Sequence, residues 1–303
     1  MSTVAGLVGE LAAAREAVAG RLRGIDPTDL AAVRRAYDEF SENDPMPANA
    51  VQSELPLGGV NCLGIMPPGS SGDHVIFWLH GGGYAMGSSR SHKGLASQVA
   101  AAAKCATVIP DYRLAPEHKY PAALEDSVAA YKGMLGEGVD PAKIILAGDS
   151  AGGGLAVASA MRLKEEGVAL PAGMMLLSPW VNFANTGWSW DAKAARDPFL
   201  TRPSLEVRRH QYLGDVQPLY NGVAVLNADL RGLPPTIIQT GEAEVLLSDS
   251  TSLAERLGGS GSPVTLEIWP DMFHVFQARY KMLTPARQAV DRLGAWAAAH
   301  LRL

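Results

Sequence analysis

Cys62 and Cys105 are the only cysteines in 303 residues, so the chain can build neither a disulfide framework nor a four-thiolate zinc site. We read both as buried free thiols. No stretch of about eighteen uncharged apolar residues occurs, as a membrane-spanning helix would need. The N-terminus lacks a basic start and carries Glu10, Arg15 and Glu16 where a secretory signal requires an unbroken apolar segment. These absences predict a cytoplasmic protein with no stable membrane association. Basic excess is missing too. Lys and Arg number 26 against 31 Asp and Glu, mixed along the chain for a formal net charge of −5, so nucleic acid is not an expected partner.

What is present suits a packed, turn-rich globular protein: 47% hydrophobic residues, 19% charged residues and 32 glycines. The length exceeds that of a usual single domain, but α/β folds often fill it as one unit with insertions. One core plus a cap is the expectation. Apolar residues recur at helical spacing over 4–22, and Asp26-Pro27-Thr28 opens a second helical stretch to about residue 40 with a cap and a first-turn proline. Short apolar runs bounded by Gly and Pro then follow at 60–66, 74–79, 106–110, 143–147, 173–177, 235–240 and 264–269, most of them ahead of helical segments. Strand alternating with helix predicts an α/β protein with a mostly parallel sheet covered on both faces. A closing amphipathic helix is expected at 284–301. The rhythm breaks over about 181–227, where Trp188, Trp190, Phe199, Tyr212 and Tyr220 interleave with charges. That stretch reads as an insertion, a lid over the core. No repeat or low-complexity tract is evident.

Gly148-Asp149-Ser150-Ala151-Gly152 sits between an expected strand and an expected helix. A tight strand-to-helix turn forces its serine into a strained backbone conformation with the hydroxyl exposed, and glycines on either side leave room for neighbouring backbone. Ser150 is therefore the candidate nucleophile. The helix that follows aims free amides at any developing oxyanion. Alternatively the motif is a Gly-rich turn that only caps a helix. Phosphate binding is disfavoured, because the loop has neither a Gly-Lys-Ser/Thr ending nor a Gly-x-Gly-x-x-Gly pattern.

Upstream, His80-Gly81-Gly82-Gly83 ends another strand, as an oxyanion loop of the His-Gly-Gly-Gly type does. Amides of Gly82, Gly83 and Ala151 are the candidate oxyanion-hole donors, each typically worth about 3 kcal/mol. His80 is expected to anchor the loop. His274, in the loop after the last expected strand, stands where such a fold presents its general base. His74, His92, His118, His210 and His300 have no motif around them and are expected at the surface. The third member should follow the preceding strand, where Glu242, Glu244 and Asp249 all occur. A carboxylate there would fix the imidazole tautomer and stabilise the imidazolium. Glu244 is preferred, with Asp249 as the runner-up; some of these acids must cap the following helix instead.

Together with Gly87-Ser88, Ser91-His92, Asp111-Tyr112-Arg113-Leu114-Ala115-Pro116-Glu117-His118, Tyr120-Pro121 and Ser178-Pro179-Trp180, these motifs make the chain from about residue 50 onward similar to the hormone-sensitive-lipase-like family of esterases. The resemblance implies an α/β-hydrolase fold with an eight-stranded sheet and a helical cap. The cap would comprise residues 1–45 and the insertion at about 181–227, and the catalytic domain 46–303. It further implies a carboxylesterase that hydrolyses short-acyl esters through an acyl-enzyme, without a cofactor or metal, as a monomer or homodimer. The family usually places Asp where this chain has Glu244, which keeps Asp249 in play. Trp180, Phe183, Trp188 and Phe199 either line an acyl pocket or pack cap against core. The Asp111–Glu117 stretch is read as structural. A lactone or N-acetyl/amide hydrolase with the same triad is the alternative. A non-catalytic small-ligand receptor on this fold is a second, disfavoured by the presence of His274.

Overall fold

The computed structural model describes residues 4–26, 29–42, 44–218 and 223–303. Helices α1 (Val4–Gly20) and α2 (Leu30–Glu42) precede the hairpin of β1 (Val51–Leu57) and β2 (Val60–Met66). There follow β3 (Ser71–Leu79), α3 (Ser89–Ala103), β4 (Cys105–Pro110), α4 (Ala122–Gly136), β5 (Ile144–Asp149), α5 (Ala151–Glu165) and β6 (Gly173–Leu177). Short α6 (Ser189–Ala192) and α7 (Arg202–Leu213) lead into β7 (Thr236–Gly241), α8 (Leu247–Gly259), β8 (Val264–Trp269) and α9 (Thr284–Leu301).

The eight strands form one sheet in the order β1-β2-β4-β3-β5-β6-β7-β8. Only β1–β2 and β2–β4 pair antiparallel; the other strands run parallel. The period-2 alternation of a strand sends its side chains to two cores. Val75, Phe77 and Leu79 of β3 and Ile144 and Leu146 of β5 face the layer that includes α4, α5 and α8. Ile76, Trp78, Ile145 and Ala147 face α3 and α9. With both faces covered, the central strands read as continuous apolar runs, which is why they stand out in the sequence.

Three expectations need correction. Strand β1 went unread because it is an edge strand, solvent-exposed over most of its length, with Pro56 inside it. The two-residue turn that joins it to β2 needs positive φ at Gly58 and Gly59 (57° and 84°), and a Cβ at Gly58 would lie 2.1 Å from the Ala129 carbonyl oxygen. Helix α2 begins later than expected, with Asp29 Oδ1 accepting from the Ala32 amide at 2.9 Å. Pro27, Thr28 and Tyr220 lie outside the described residues. His92 is buried, not at the surface.

Ala14 and Val18 of α1 pack into the core shared with α3 and α9, and Val33 and Tyr37 of α2 pack on Met86. Leu205, Tyr212 and Leu213 of α7 join the opposite core. Both cysteines are buried and unpaired. Among the described residues no helix is long and apolar enough to cross a membrane.

Candidate active site

Ser150 is the first residue after β5 and caps α5, with φ 54° and ψ −122°. A non-glycine residue reaches this region only when its surroundings impose it. Here the Ser150 amide donates to the Leu177 carbonyl at 2.8 Å, and the Ser150 carbonyl accepts from Trp180 at 2.9 Å. The flanking glycines have no alternative. A Cβ at Gly148 would sit 2.3 Å from the Gly152 carbonyl oxygen, and one at Gly152 would sit 2.0 Å from that of Leu79. Both are backbone contacts of the turn, so close approach itself demands glycine.

His274 follows β8 and reaches back over the sheet edge. Its Nε2 lies 3.0 Å from Ser150 Oγ, and its Nδ1 lies 2.7 Å from Glu244 Oε2. The other oxygen of Glu244 accepts three hydrogen bonds, from Ser178 Oγ at 2.8 Å, Thr240 Oγ1 at 2.5 Å and the Gly241 amide at 2.6 Å. Fully buried and fixed by three donors, the carboxylate can present only Oε2 to the imidazole. Ser178 also accepts from the Val275 amide at 3.2 Å, tying the histidine loop to the carboxylate's support. The tautomer consistent with this chain has Nδ1–H donating to Glu244, leaving Nε2 free to take the Ser150 proton.

Asp249 points elsewhere. Its Oδ2 accepts from the amides of Val181 and Asn182 at 3.1 and 2.9 Å, and it makes no hydrogen bond to His274. Burial pushes its carboxyl up to about 8 against the pull of those amides. Glu242 is also remote from the imidazole, pairing with Lys193 and Arg196.

Gly82, Gly83 and Ser150 line one cavity of about 180 Å³, and Ala151 opens the adjoining helix. Among the described residues the amides of Gly82, Gly83 and Ala151 donate to no acceptor within the chain. His80 holds the loop from below. Its Nδ1 lies 2.9 Å from the Gly81 carbonyl, its ring stacks on Tyr112 at 4.0 Å, and burial pushes its pKa down to about 3, so it stays neutral. Tyr112 Oη donates to the His80 carbonyl at 2.6 Å, and Asp111 accepts from Ser89 at the start of α3. The Asp111–Glu117 stretch therefore braces the loop that carries Gly81, Gly82 and Gly83.

Two supports carried no sequence signal. Asp149, the residue before Ser150, accepts from Trp78 Nε1 and the Gly81 amide and pairs with His92 Nε2 at 3.3 Å. Burial opposes charge on both partners, yet their mutual attraction prevails, raising the pKa of His92 and lowering that of Asp149. The pair joins β3, α3 and the turn at Ser150. Asp197, in the insertion, accepts from the amides of Phe199, Leu200 and Val245, clamping that segment beside Glu244. His92 and the Val245 amide lie far along the chain from these two aspartates, so no local pattern announces either contact.

Of the four aromatics left open, Phe199 lines the cavity beside Ser150. Trp180 and Phe183 are buried in the core around Tyr84 and Tyr212, and Trp188 is 56% exposed.

The sequence matches the α/β-hydrolase-fold family over residues 76–278. It is 40% identical to an acetyl-hydrolase of Streptomyces hygroscopicus over 262 residues, 86% of each chain. It is 32% identical to an esterase of Acinetobacter venetianus over 267 residues, 88% of each. Among solved structures, an esterase of the bacterial hormone-sensitive lipase family matches with a TM-score of 0.94 at 38% identity, covering 97% of this chain and 98% of that one. The chain is thus an α/β-hydrolase by fold. Within that fold it belongs to the hormone-sensitive-lipase-like esterases.

Proposed function

We propose that this carboxylesterase hydrolyses short-acyl esters through Ser150 as nucleophile, His274 as general base and acid, and Glu244 as the carboxylate that orients the imidazole. The observation that carries the reading is the unbroken chain from Ser150 Oγ through His274 to Glu244, at 3.0 and 2.7 Å. Ser150 Oγ attacks the ester carbonyl while His274 Nε2 takes its proton, and Glu244 stabilises the resulting imidazolium. Negative charge on the carbonyl oxygen is met by the amides of Gly82, Gly83 and Ala151, which have no acceptor among the described residues. His274 then returns the proton to the leaving alcohol, an acyl-enzyme forms, and a water activated by the same imidazole releases the acid.

The preference for short acyl groups is supported by the cavity. Its volume of about 180 Å³ is close to the ~150 Å³ of an apolar cavity that holds one benzene. Residues 1–45 and about 181–227 together form the cap in this reading, since Tyr37, Phe40, Phe199 and Leu205 supply walls that the sheet edge does not. The test is hydrolysis of p-nitrophenyl acetate, butyrate, octanoate and palmitate by wild type and Ser150→Ala. Turnover that favours acetate and butyrate and disappears in Ser150→Ala supports the proposal. Activity that survives in Ser150→Ala, or that peaks at palmitate, overturns it.

A further inference from the structure

We infer that the cavity beside Ser150 selects esters that also carry a free carboxylate, and that the guanidiniums of Arg21 and Arg208 bind that carboxylate. The inference rests on the reading of Ser150, His274 and Glu244 as the ester-cleaving site.

The charges lining the cavity do not balance locally. Three arginines, Arg21, Arg208 and Arg279, face it together with two aspartates, Asp44 and Asp149. Asp44 is taken by Arg279 at 2.6 Å, and Asp149 by His92. Among the described residues neither Arg21 nor Arg208 makes an ion pair. Nε and Nη2 of Arg21 are buried and have no hydrogen-bond partner. A buried charged donor left unpaired is costly, so its retention calls for an acceptor that arrives with the ligand. Burial pulls the Arg21 pKa down to about 10, opposed by the field and hydrogen bond of Tyr37 and reinforced by the fields of Arg279 and Arg208; the group remains cationic at neutral pH. Burial lowers the Arg208 pKa as well.

The guanidinium of Arg21 is positioned before any ligand enters. Its centre lies 3.5 Å from the Phe199 ring centroid and 4.6 Å from that of Tyr37, so its plane is held by aromatic faces that satisfy its charge in part while Nε and Nη2 keep no hydrogen-bond partner. Arg208 approaches from α7. Its stem lies against the oxyanion loop, with Cγ 2.9 Å from the point a Cβ on Gly83 would occupy, and its Nη1 donates to Gln211 Oε1 at 2.8 Å. Both cations therefore border the space next to the reacting carbonyl. A guanidinium presents parallel donors that match a carboxylate, which an alkyl chain cannot use. The carboxylate can belong to the acyl part, as in a half-ester of a dicarboxylic acid, or to the alcohol part, as in an acylated hydroxy acid.

The experiment compares kcat/KM for two matched pairs by pH-stat at constant ionic strength, in wild type, Ser150→Ala, Arg21→Gln and Arg208→Gln. Monoethyl succinate against ethyl pentanoate reads the acyl side, and 3-acetoxypropanoate against butyl acetate reads the alcohol side. In at least one pair, wild type should favour the charged ester by about tenfold or more, as expected for a charge-assisted hydrogen bond. Each arginine variant should lower that charged-to-neutral ratio by about the same factor. Should Arg21→Gln fail to fold, Arg208→Gln, at a half-buried position, carries the test alone. The inference falls, and the site reading stands, if the neutral esters are cleaved in a Ser150-dependent way while the ratio favours them in both pairs or is unmoved in the variants. If wild type cleaves none of the four esters, both fall.

Discussion

Replacing Glu244 with Gln changes almost no volume but sets the donors of the site against one another. Oε1 of Glu244 accepts from Ser178 Oγ, Thr240 Oγ1 and the Gly241 amide, while Oε2 accepts from His274 Nδ1. A glutamine has one oxygen for both tasks. The hydroxyls can reorient, but the Gly241 amide is an obligatory donor, so the side-chain oxygen stays with that cluster and the NH₂ group turns toward His274. The imidazole must then accept at Nδ1 and carry its proton on Nε2, which leaves it unable to deprotonate Ser150. On the proposed assignment kcat falls by about 10⁴, the size found when the buried aspartate of a serine protease is converted to its amide. That is about 5 kcal/mol of transition-state stabilisation. The assay is steady-state hydrolysis of p-nitrophenyl butyrate, with urea unfolding to show that the variant is folded. A folded Glu244→Gln that keeps more than about a tenth of wild-type kcat would refute the tautomer argument.

The remaining predictions concern the supports. Because the Asp249 carboxyl is pushed up to about 8, from about 4 in an unfolded chain, the fold retains a proton there that the unfolded state releases. Its contribution is full below about pH 4 and disappears as pH rises to about 8, so wild-type stability should decline across that window. Asp249→Asn should flatten the decline; parallel stability–pH curves for the two proteins would contradict it. His92→Leu strips Asp149 of its buried partner and should cost about 3–5 kcal/mol in urea unfolding, whereas a loss below about 1 kcal/mol would show that the pair is not needed. Gly152→Ala drives a Cβ to within 2.0 Å of the Leu79 carbonyl oxygen and 2.5 Å of that of His80. Opening the Ser150 turn by even about 1 Å should lower kcat roughly 10²-fold, and a value within about threefold of wild type would count against close backbone approach at Gly152.

What the sequence determined by itself was whatever depends on neighbours along the chain. The central strands announce themselves because burial on both faces makes them continuously apolar, and the turn at Ser150 does so because backbone contacts at Gly148 and Gly152 tolerate no side chain. His274 was legible from its place after the last strand. Choosing between Glu244 and Asp249 was not, since both are acidic, fully buried and five positions apart. Only the tertiary structure decided which meets the imidazole, through Ser178, Thr240 and Gly241 on one side and the amides of Val181 and Asn182 on the other. The same holds for His92, which finds Asp149 across 57 residues, and for Arg21, whose place beside Ser150 exists only once the N-terminal segment folds over the sheet edge. Edge strand β1 escaped notice for the opposite reason: exposed residues and a proline carry no periodic signal, and pairing with β2 alone makes it a strand.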